Sequence, residues 1–194
     1  MQARLWAVTA PLPRYIAFLR AINVGGRIVK MDELRAHFAA AGFSDVETFI
    51  ASGNVLFSSP ARSTEAAEQR VEAHLKKVLG YEVAAFILTP GEVAAAAAHQ
   101  PFPAREVAAA GAYVAAFLKR PLDSAGKKGL AALASPHDRF AATGRVVYWL
   151  STLKQSESPL TLMKFERAVG GPATMRAMTS LKKLAAKHGP TATG

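Results

Sequence analysis

The chain has 194 residues, of which 51% are hydrophobic, and a formal net charge of +10. That size suits one medium domain or two small ones, and the apolar content excludes a disordered chain. It contains no cysteine, which excludes thiol catalysis, disulfides, iron–sulfur clusters and cysteine-ligated zinc.

Residues 1–14 read as a tail. The stretch Leu5–Leu12 is apolar but broken by Thr9 and Pro11 and followed by Arg14. It lacks a small-residue cleavage site, so no signal peptide is expected. No apolar run approaches the ~20 residues of a membrane helix. The expectation is a cytoplasmic protein without a membrane partner.

Tyr15–Arg20 is a short apolar, aromatic run, predicted as a strand. Ala21–Lys30 is a loop carrying Gly25 and Gly26. Met31, Leu34, Phe38 and Ala41 recur at helical spacing, and Gly42 stops that helix. Val46–Ala51 and Asn54–Ser58 are predicted strands joined at Ser52 and Gly53, a tight turn. Ser63 or Thr64 caps a second helix, with Glu65 and Glu68 in its first turn. Its buried stripe is Ala67, Val71, Leu75, Val78 and Leu79, and Gly80 ends it. Val83–Leu88 is a fourth strand. The order βαββαβ is the ferredoxin-like pattern.

Gly91–His99 reads as an alanine-rich helix. Pro101 and Pro103 mark a boundary near Gln100–Arg105, dividing residues 15–100 from 101–194. Ala112–Lys119 is a strand and Leu122–Ala134 a helix. Arg139–Ala142 and Arg145–Leu150 form a hairpin around Thr143 and Gly144. Ser158 is expected to cap a helix that has Pro159 at its first position and ends at Gly170 and Gly171. A last helix covers Thr179–His188. This is most of a second ferredoxin-like unit, although no sequence repeat is visible. The expected fold class is α+β, with two ferredoxin-like halves and additional C-terminal helices.

Several strands are apolar on both alternating sets, including Tyr15–Leu19, Val83–Leu88 and Ala112–Leu118. Such strands are covered on both faces. Helices cover one face of a ferredoxin-like sheet. The other face requires the partner half, the C-terminal helices or a second subunit.

Few residues carry recognisable chemistry. The five histidines have no i+3 or i+4 pairing and no His-Glu-x-x-His exists, so no metal site is expected. There is no Gly-x-Ser-x-Gly elbow, and no cofactor is expected. The loop after the first strand combines Arg20, Asn23, Gly25, Gly26 and Arg27 ahead of a helix. Glycine-freed amides beside cations suit an anion, although the same glycines serve any loop that needs positive φ. Ser52 and Asn54 flank the hairpin turn, where turn chemistry alone also explains them. Of the 24 Lys and Arg residues, 14 fall in residues 101–194, against five of the 14 Asp and Glu. A basic half attracts phosphate-bearing partners. The charges are expected to scatter over at least three helices, and aromatic stacking partners are nearly missing.

The motifs YIAFLRAINVGGR, MDELR and ASGNVLF resemble the opening of a bacterial family known only as domain of unknown function 1697. The stretch Glu157–Leu184 resembles its closing block. The resemblance spans about Arg14–Lys187, faintly through Ala94–Asp138. It implies a two-part α/β plait fold and no established activity. Arg176-Ala177-Met178 stands where the family pattern implies Arg-Asn-Trp, so any ligand contact of that Asn and Trp is not carried over.

The resulting expectation is a non-catalytic or weakly catalytic binder of a small anionic or phosphate-bearing ligand. The ligand would occupy a groove between the halves, lined by Arg20, Asn23, Gly25, Gly26, Arg27, Ser52, Asn54 and Arg176. One alternative is an enzyme acting on a nucleotide or sugar phosphate, with Asn23 and Ser52 as polar groups and Arg27 as electrophile. Another is a nucleic-acid-associated protein using its basic second half. The expected assembly is a monomer or homodimer.

Overall fold

The computed structural model describes residues 11–23, 25–50 and 53–189. The first half runs β1 (Arg14–Arg20), α1 (Met31–Ala40), β2 (Ser44–Thr48), β3 (Asn54–Ser58), α2 (Thr64–Leu79) and β4 (Ala84–Leu88). Then follow α3 (Pro90–Ala98) and α4 (Ala104–Ala109). The second half runs β5 (Ala112–Leu118), α5 (Ser124–Ala132), β6 (Asp138–Thr143), β7 (Val146–Ser151), α6 (Leu162–Val169), β8 (Ala173–Ala177) and α7 (Met178–His188). Each half contributes one antiparallel four-stranded sheet, in the orders β2-β3-β1-β4 and β6-β7-β5-β8. Both are ferredoxin-like.

Local signals account for most boundaries. The Ser63 hydroxyl accepts from Ala66 N to cap α2, and Gly80 ends it at φ 77. Thr89 and Glu92 form a reciprocal capping box on α3, with Pro90 at its start. Several expectations need correction. Val78, expected in the buried stripe of α2, is exposed, and β2 spans Ser44–Thr48 where Val46–Ala51 was expected. Helix α6 starts at Leu162 under a Thr161 cap, not at Pro159, because the Ser158 hydroxyl accepts from Leu160 N inside a turn. Helix α5 is shorter than Leu122–Ala134, because Asp123 caps it by accepting from Gly126 N. Strand β8 was not anticipated. It completes the second unit by pairing with β5 from Val114↔Ala177 to Leu118↔Ala173.

The two halves are related position by position. Phe18 of β1 lies opposite Asn54 of β3 and Phe86 of β4. Phe117 of β5 lies opposite Val146 of β7 and Thr174 of β8. Phe18 and Phe117 therefore occupy equivalent positions, and their rings meet 4.9 Å apart. Around them one apolar cluster joins Ile16, Leu56, Phe86 and Leu88 of the first sheet to Ala115, Tyr148 and Leu150 of the second. Helices α3 and α7 add Val93, Ala96, Leu181 and Leu184 to it. The other faces pack separately, against α1 and α2 in the first half and α5 and α6 in the second. Both faces of each sheet are thus covered, the inner one by the partner half and two helices.

Strands β4 and β8 are sheet edges, where unpaired N–H groups invite pairing with other chains. Carboxylates close them. Ile87 N donates to Glu68 Oε1 at 2.9 Å and Ala85 N to Glu72 Oε1 at 2.8 Å, both from α2. Ala173 N of β8 donates to Glu166 Oε1 of α6 at 2.8 Å. The counter-charges cross between the halves. Lys119, just after β5, donates to Glu68 and Glu72 at 2.9 and 2.7 Å and also to the carbonyl of Ala85. Arg20, its equivalent at the end of β1, donates to Glu166 at 2.6 Å.

Glu68 is buried and serves a strand N–H and two cations. Replacing it with Leu should cost about 3–5 kcal/mol in urea unfolding, because cations and a backbone donor lose their acceptor. Glu47→Gln, which breaks the exposed pair with Arg14, should change stability by at most about 1 kcal/mol. Equal effects would contradict this account.

A pH dependence follows from the α1–α2 layer. Burial first, then His37 and Lys77, hold the His74 imidazole below its ordinary value of 6.5; its ring lies 6.2 Å from that of His37, which in turn faces Glu33. Folding therefore favours neutral His74. Its contribution is fully present above the unfolded value and is lost as pH falls below it. Melting temperature should drop between pH 7 and pH 5, and His74→Gln should flatten that drop.

Candidate functional site

Arg176 enters from β8, opposite Ala115 of β5. All five of its N–H donors are engaged. Nε donates to Asn54 Oδ1 at 2.7 Å. Nη1 donates to Thr174 Oγ1 and the Met175 carbonyl, each at 2.8 Å. Nη2 donates to the carbonyls of Gly53 at 2.9 Å and Leu19 at 3.3 Å. The guanidinium also lies over the Phe18 ring, 4.8 Å from its centroid. No carboxylate is among these partners, and burial pulls its pKa down to about 10. Arg176 thus ties β8 to the end of β1 and the start of β3. The backbone there favours glycine through its conformation: Gly53 has φ 113, which side chains rarely adopt, while a Cβ would make only ordinary contact, 3.4 Å from the Leu19 carbonyl oxygen. The cavity beside Arg176, bounded by Phe18, Phe49, Asn54 and Leu184, is only about 10 Å³.

The other residues nominated from the sequence go elsewhere. Arg20 is held by Glu166. Asn23 Oδ1 accepts from Val29 N at 2.9 Å and so braces its own loop. Gly25 and Gly26 have φ 60 and 79, with open space where a Cβ would stand. Arg27 lies over the Tyr81 ring at 4.7 Å, and the Tyr81 hydroxyl donates to the Ile22 carbonyl. Ser52 lies outside the described residues. Of the nominated set, Arg176 and Asn54 meet directly, and Gly53, which was not nominated, meets them.

The equivalent place in the other half looks different. By register, Leu88 of β4 corresponds to Arg176, since each lies two residues beyond the partner of the central phenylalanine. Val146 corresponds to Asn54. With neither polar filler present, a groove of about 270 Å³ opens between α3 and the β6–β7 hairpin. Glu92, His99, Thr143, Arg145 and Tyr148 line it. Arg145 Nη2 donates to the Ile87 carbonyl at 2.6 Å, but its carboxylate contacts are long, 3.4 Å to Glu92 and 3.5 Å to Glu68. His99 Nε2 lies 3.1 Å from Thr143 Oγ1, and its ring centroid 5.0 Å from that of Tyr148. The Tyr148 hydroxyl donates to the Ala96 carbonyl at 3.1 Å. Burial pushes its pKa up to about 12, so it stays protonated at neutral pH.

Sequence reasoning passed over His99, Arg145 and Tyr148. His99 and Thr143 are 44 residues apart, and no local spacing signals their meeting.

Residues 12–148 match a family described as a protein of unknown function, DUF1697. The chain belongs to that family. The structure of the conserved bacterial protein SP0830 from Streptococcus pneumoniae is similar, with a TM-score of 0.69 and 22% sequence identity. The likeness covers 91% of this chain and 98% of that one, and at this identity it is a likeness of fold alone. Comparison with curated proteins gave no match.

In this DUF1697 chain the Arg176 cluster is expected to act structurally. Arg176→Met should lower unfolding free energy by about 2–4 kcal/mol, because the Leu19 carbonyl and Asn54 Oδ1 lose the Arg176 donor, while the Gly53 carbonyl keeps only Leu19 N. Asn54→Ala should cost about 1–2 kcal/mol. Gly26→Ala, strained only by its positive φ, should cost about 1 kcal/mol. Denaturant titration checks the ranking, and a neutral Arg176→Met would sink it.

Proposed function

We propose that this protein binds a small anionic, phosphate-bearing ligand in the open groove beside Arg145 and His99. The observation that carries the reading is the contrast between two equivalent grooves. The one at Arg176 is filled by its own polar side chains, and every donor is used. The one at Arg145 is open, and its cation is incompletely paired: Nε makes no hydrogen bond among the described residues. The fold requires neither arrangement, since each half builds the same sheet without the other's version.

A guanidinium with donors to spare recognises phosphate or carboxylate oxygens. The imidazole of His99 and the hydroxyl of Thr143 add polar partners, and the Tyr148 and His99 rings give the groove an apolar floor. The volume sits just below the ~300 Å³ at which drug-sized sites begin. That favours inorganic phosphate or a small sugar phosphate over a dinucleotide. Glu92 is fixed through Oε2 by the α3 capping box, so its Oε1 is the group an incoming anion would displace from Arg145.

A second reading has one observation in its favour. The Thr143 hydroxyl stands within hydrogen-bond reach of His99 Nε2, the pairing of an activated nucleophile with a base. No third group orients the other nitrogen of His99 among the described residues, so binding ranks ahead of catalysis.

Thermal shift with inorganic phosphate, glycerol phosphate, ribose 5-phosphate and AMP tests the reading. A melting temperature that rises with ligand concentration is expected for the smaller phosphates. His99→Gln and Arg145→Lys should each weaken binding about tenfold or more, while Arg176→Lys leaves affinity unchanged. Thr143→Val should affect a phosphatase assay far more than affinity if the catalytic reading holds. No response to any phosphate at millimolar concentration would overturn the proposal.

A further inference from the structure

The two helix layers on the outer faces of the sheets are equivalent in fold and unlike in charge. On α1 and α2 the exposed charges are Asp32, Glu33 and Glu65 against Arg70, Lys76 and Lys77, a neutral balance. On α5 and α6 they are Lys127, Lys128, Lys164 and Arg167, all exposed. The one carboxylate of those two helices, Glu166, points inward to Arg20 and Ala173 N. Among the described residues none of the four cations lies within ion-pair distance of an acid. Since the same fold stands on a neutral layer in the first half, the basic layer is not something the fold demands.

The layer is also unusually tight. A Cβ on Gly129 of α5 would stand 1.9 Å from the Ala168 carbonyl oxygen of α6, and one on Gly126 would stand 2.9 Å from that of Val169. The two backbones therefore touch, and the four cationic side chains are exposed on this two-helix layer. At the end where α5 begins and α6 stops, a cleft of about 590 Å³ opens. Exposed Arg120 lines it beside Asp123, the exposed carboxylate that caps α5. The aromatic residue of these helices, Phe165, is fully buried, so no ring is offered to an unstacked base.

We propose that the α5–α6 face binds the phosphate backbone of double-stranded nucleic acid without reading its sequence. Exposed cations without carboxylate partners suit a regular array of phosphates; Lys164 Nζ donates only to the Pro159 carbonyl, at 3.0 Å. The lack of stacking aromatics argues against a single strand, whose non-specific binders use ring platforms. Lysine predominates over arginine, which suits point-charge contact with phosphates and not bidentate recognition of base edges. This surface is distinct from the Arg145 groove, and the proposal stands independently of it.

Fluorescence anisotropy with short labelled DNA and RNA duplexes tests it on the full chain, with a single strand and anionic phosphatidylserine vesicles as competing arms. Weak duplex binding is expected at low salt, falling about a hundredfold by physiological salt, as expected for about four phosphate contacts. The quadruple variant Lys127→Gln, Lys128→Gln, Lys164→Gln, Arg167→Gln should abolish it while circular dichroism and melting temperature stay at wild-type values, because all four side chains are exposed. The control Lys182→Gln, Lys183→Gln on α7 should retain most of the affinity. Absence of duplex binding at low salt overturns the proposal. So does binding that survives the quadruple variant, or a preference for the single strand or the vesicles.

Discussion

Everything in this molecule depends on the apolar layer shared by its two sheets. A ferredoxin-like sheet has helices on one face only, and here the strands are apolar on both. Ile16, Phe18 and Phe86 on one side and Ala115, Phe117 and Tyr148 on the other have no helical cover sufficient for them and bury against each other. At roughly 25 cal/mol per Å² of apolar surface, leaving that face in water would cost more than the stability of a typical domain. The halves are therefore not independent units joined by a linker. Each supplies the missing layer of the other, with α3 and α7 filling the flanks.

The ionic contacts are organised by the same constraint. Burying the inner faces brings the ends of β1 and β5 near the partner's edge strand, where unpaired N–H groups must find acceptors. Glu72 and Glu166 accept those N–H groups in their own halves and take counter-charges, Lys119 and Arg20, from the opposite half. A carboxylate in such a position would be costly without its cation. Edge protection and inter-half registration are thus one device, repeated twice without any shared sequence pattern.

Internal equivalence also separates what the fold needs from what it does not. Arg176 and Asn54 occupy positions held by Leu88 and Val146 in the other half. One groove is consequently sealed by five donated hydrogen bonds and the other is open beside Arg145. One helix layer is electrostatically balanced and its counterpart is basic. A folded unit that tolerates both versions does not explain the difference, and the asymmetries are where a ligand or a polyanion has room to act. An arginine conspicuous in a sequence is not for that reason a binding residue: Arg176 has given every donor to the protein itself.

The first ferredoxin-like unit was legible in the sequence because its signals are local. Gly42 and Gly80 end helices, Ser63 caps one, and β1 and β4 are continuous apolar runs flanked by breakers. The need for cover on the second face was legible as well, since strand residues alternate by geometry alone. Strand β8 was not. Ala-Thr-Met-Arg-Ala has little β-propensity and no clean alternation, and it is a strand because β5 offers it an edge. The Arg176–Asn54 contact was half visible, as two polar residues nominated for one cleft. Its outcome depended on donors and acceptors separated by more than 120 residues. His99, Thr143 and Arg145 carried no pattern at all. Sequence determined what each segment prefers to be, because propensity and amphipathicity act over a few residues. Only the packing of two halves could decide which side chains meet, because those meetings follow from strand register and burial across the whole chain.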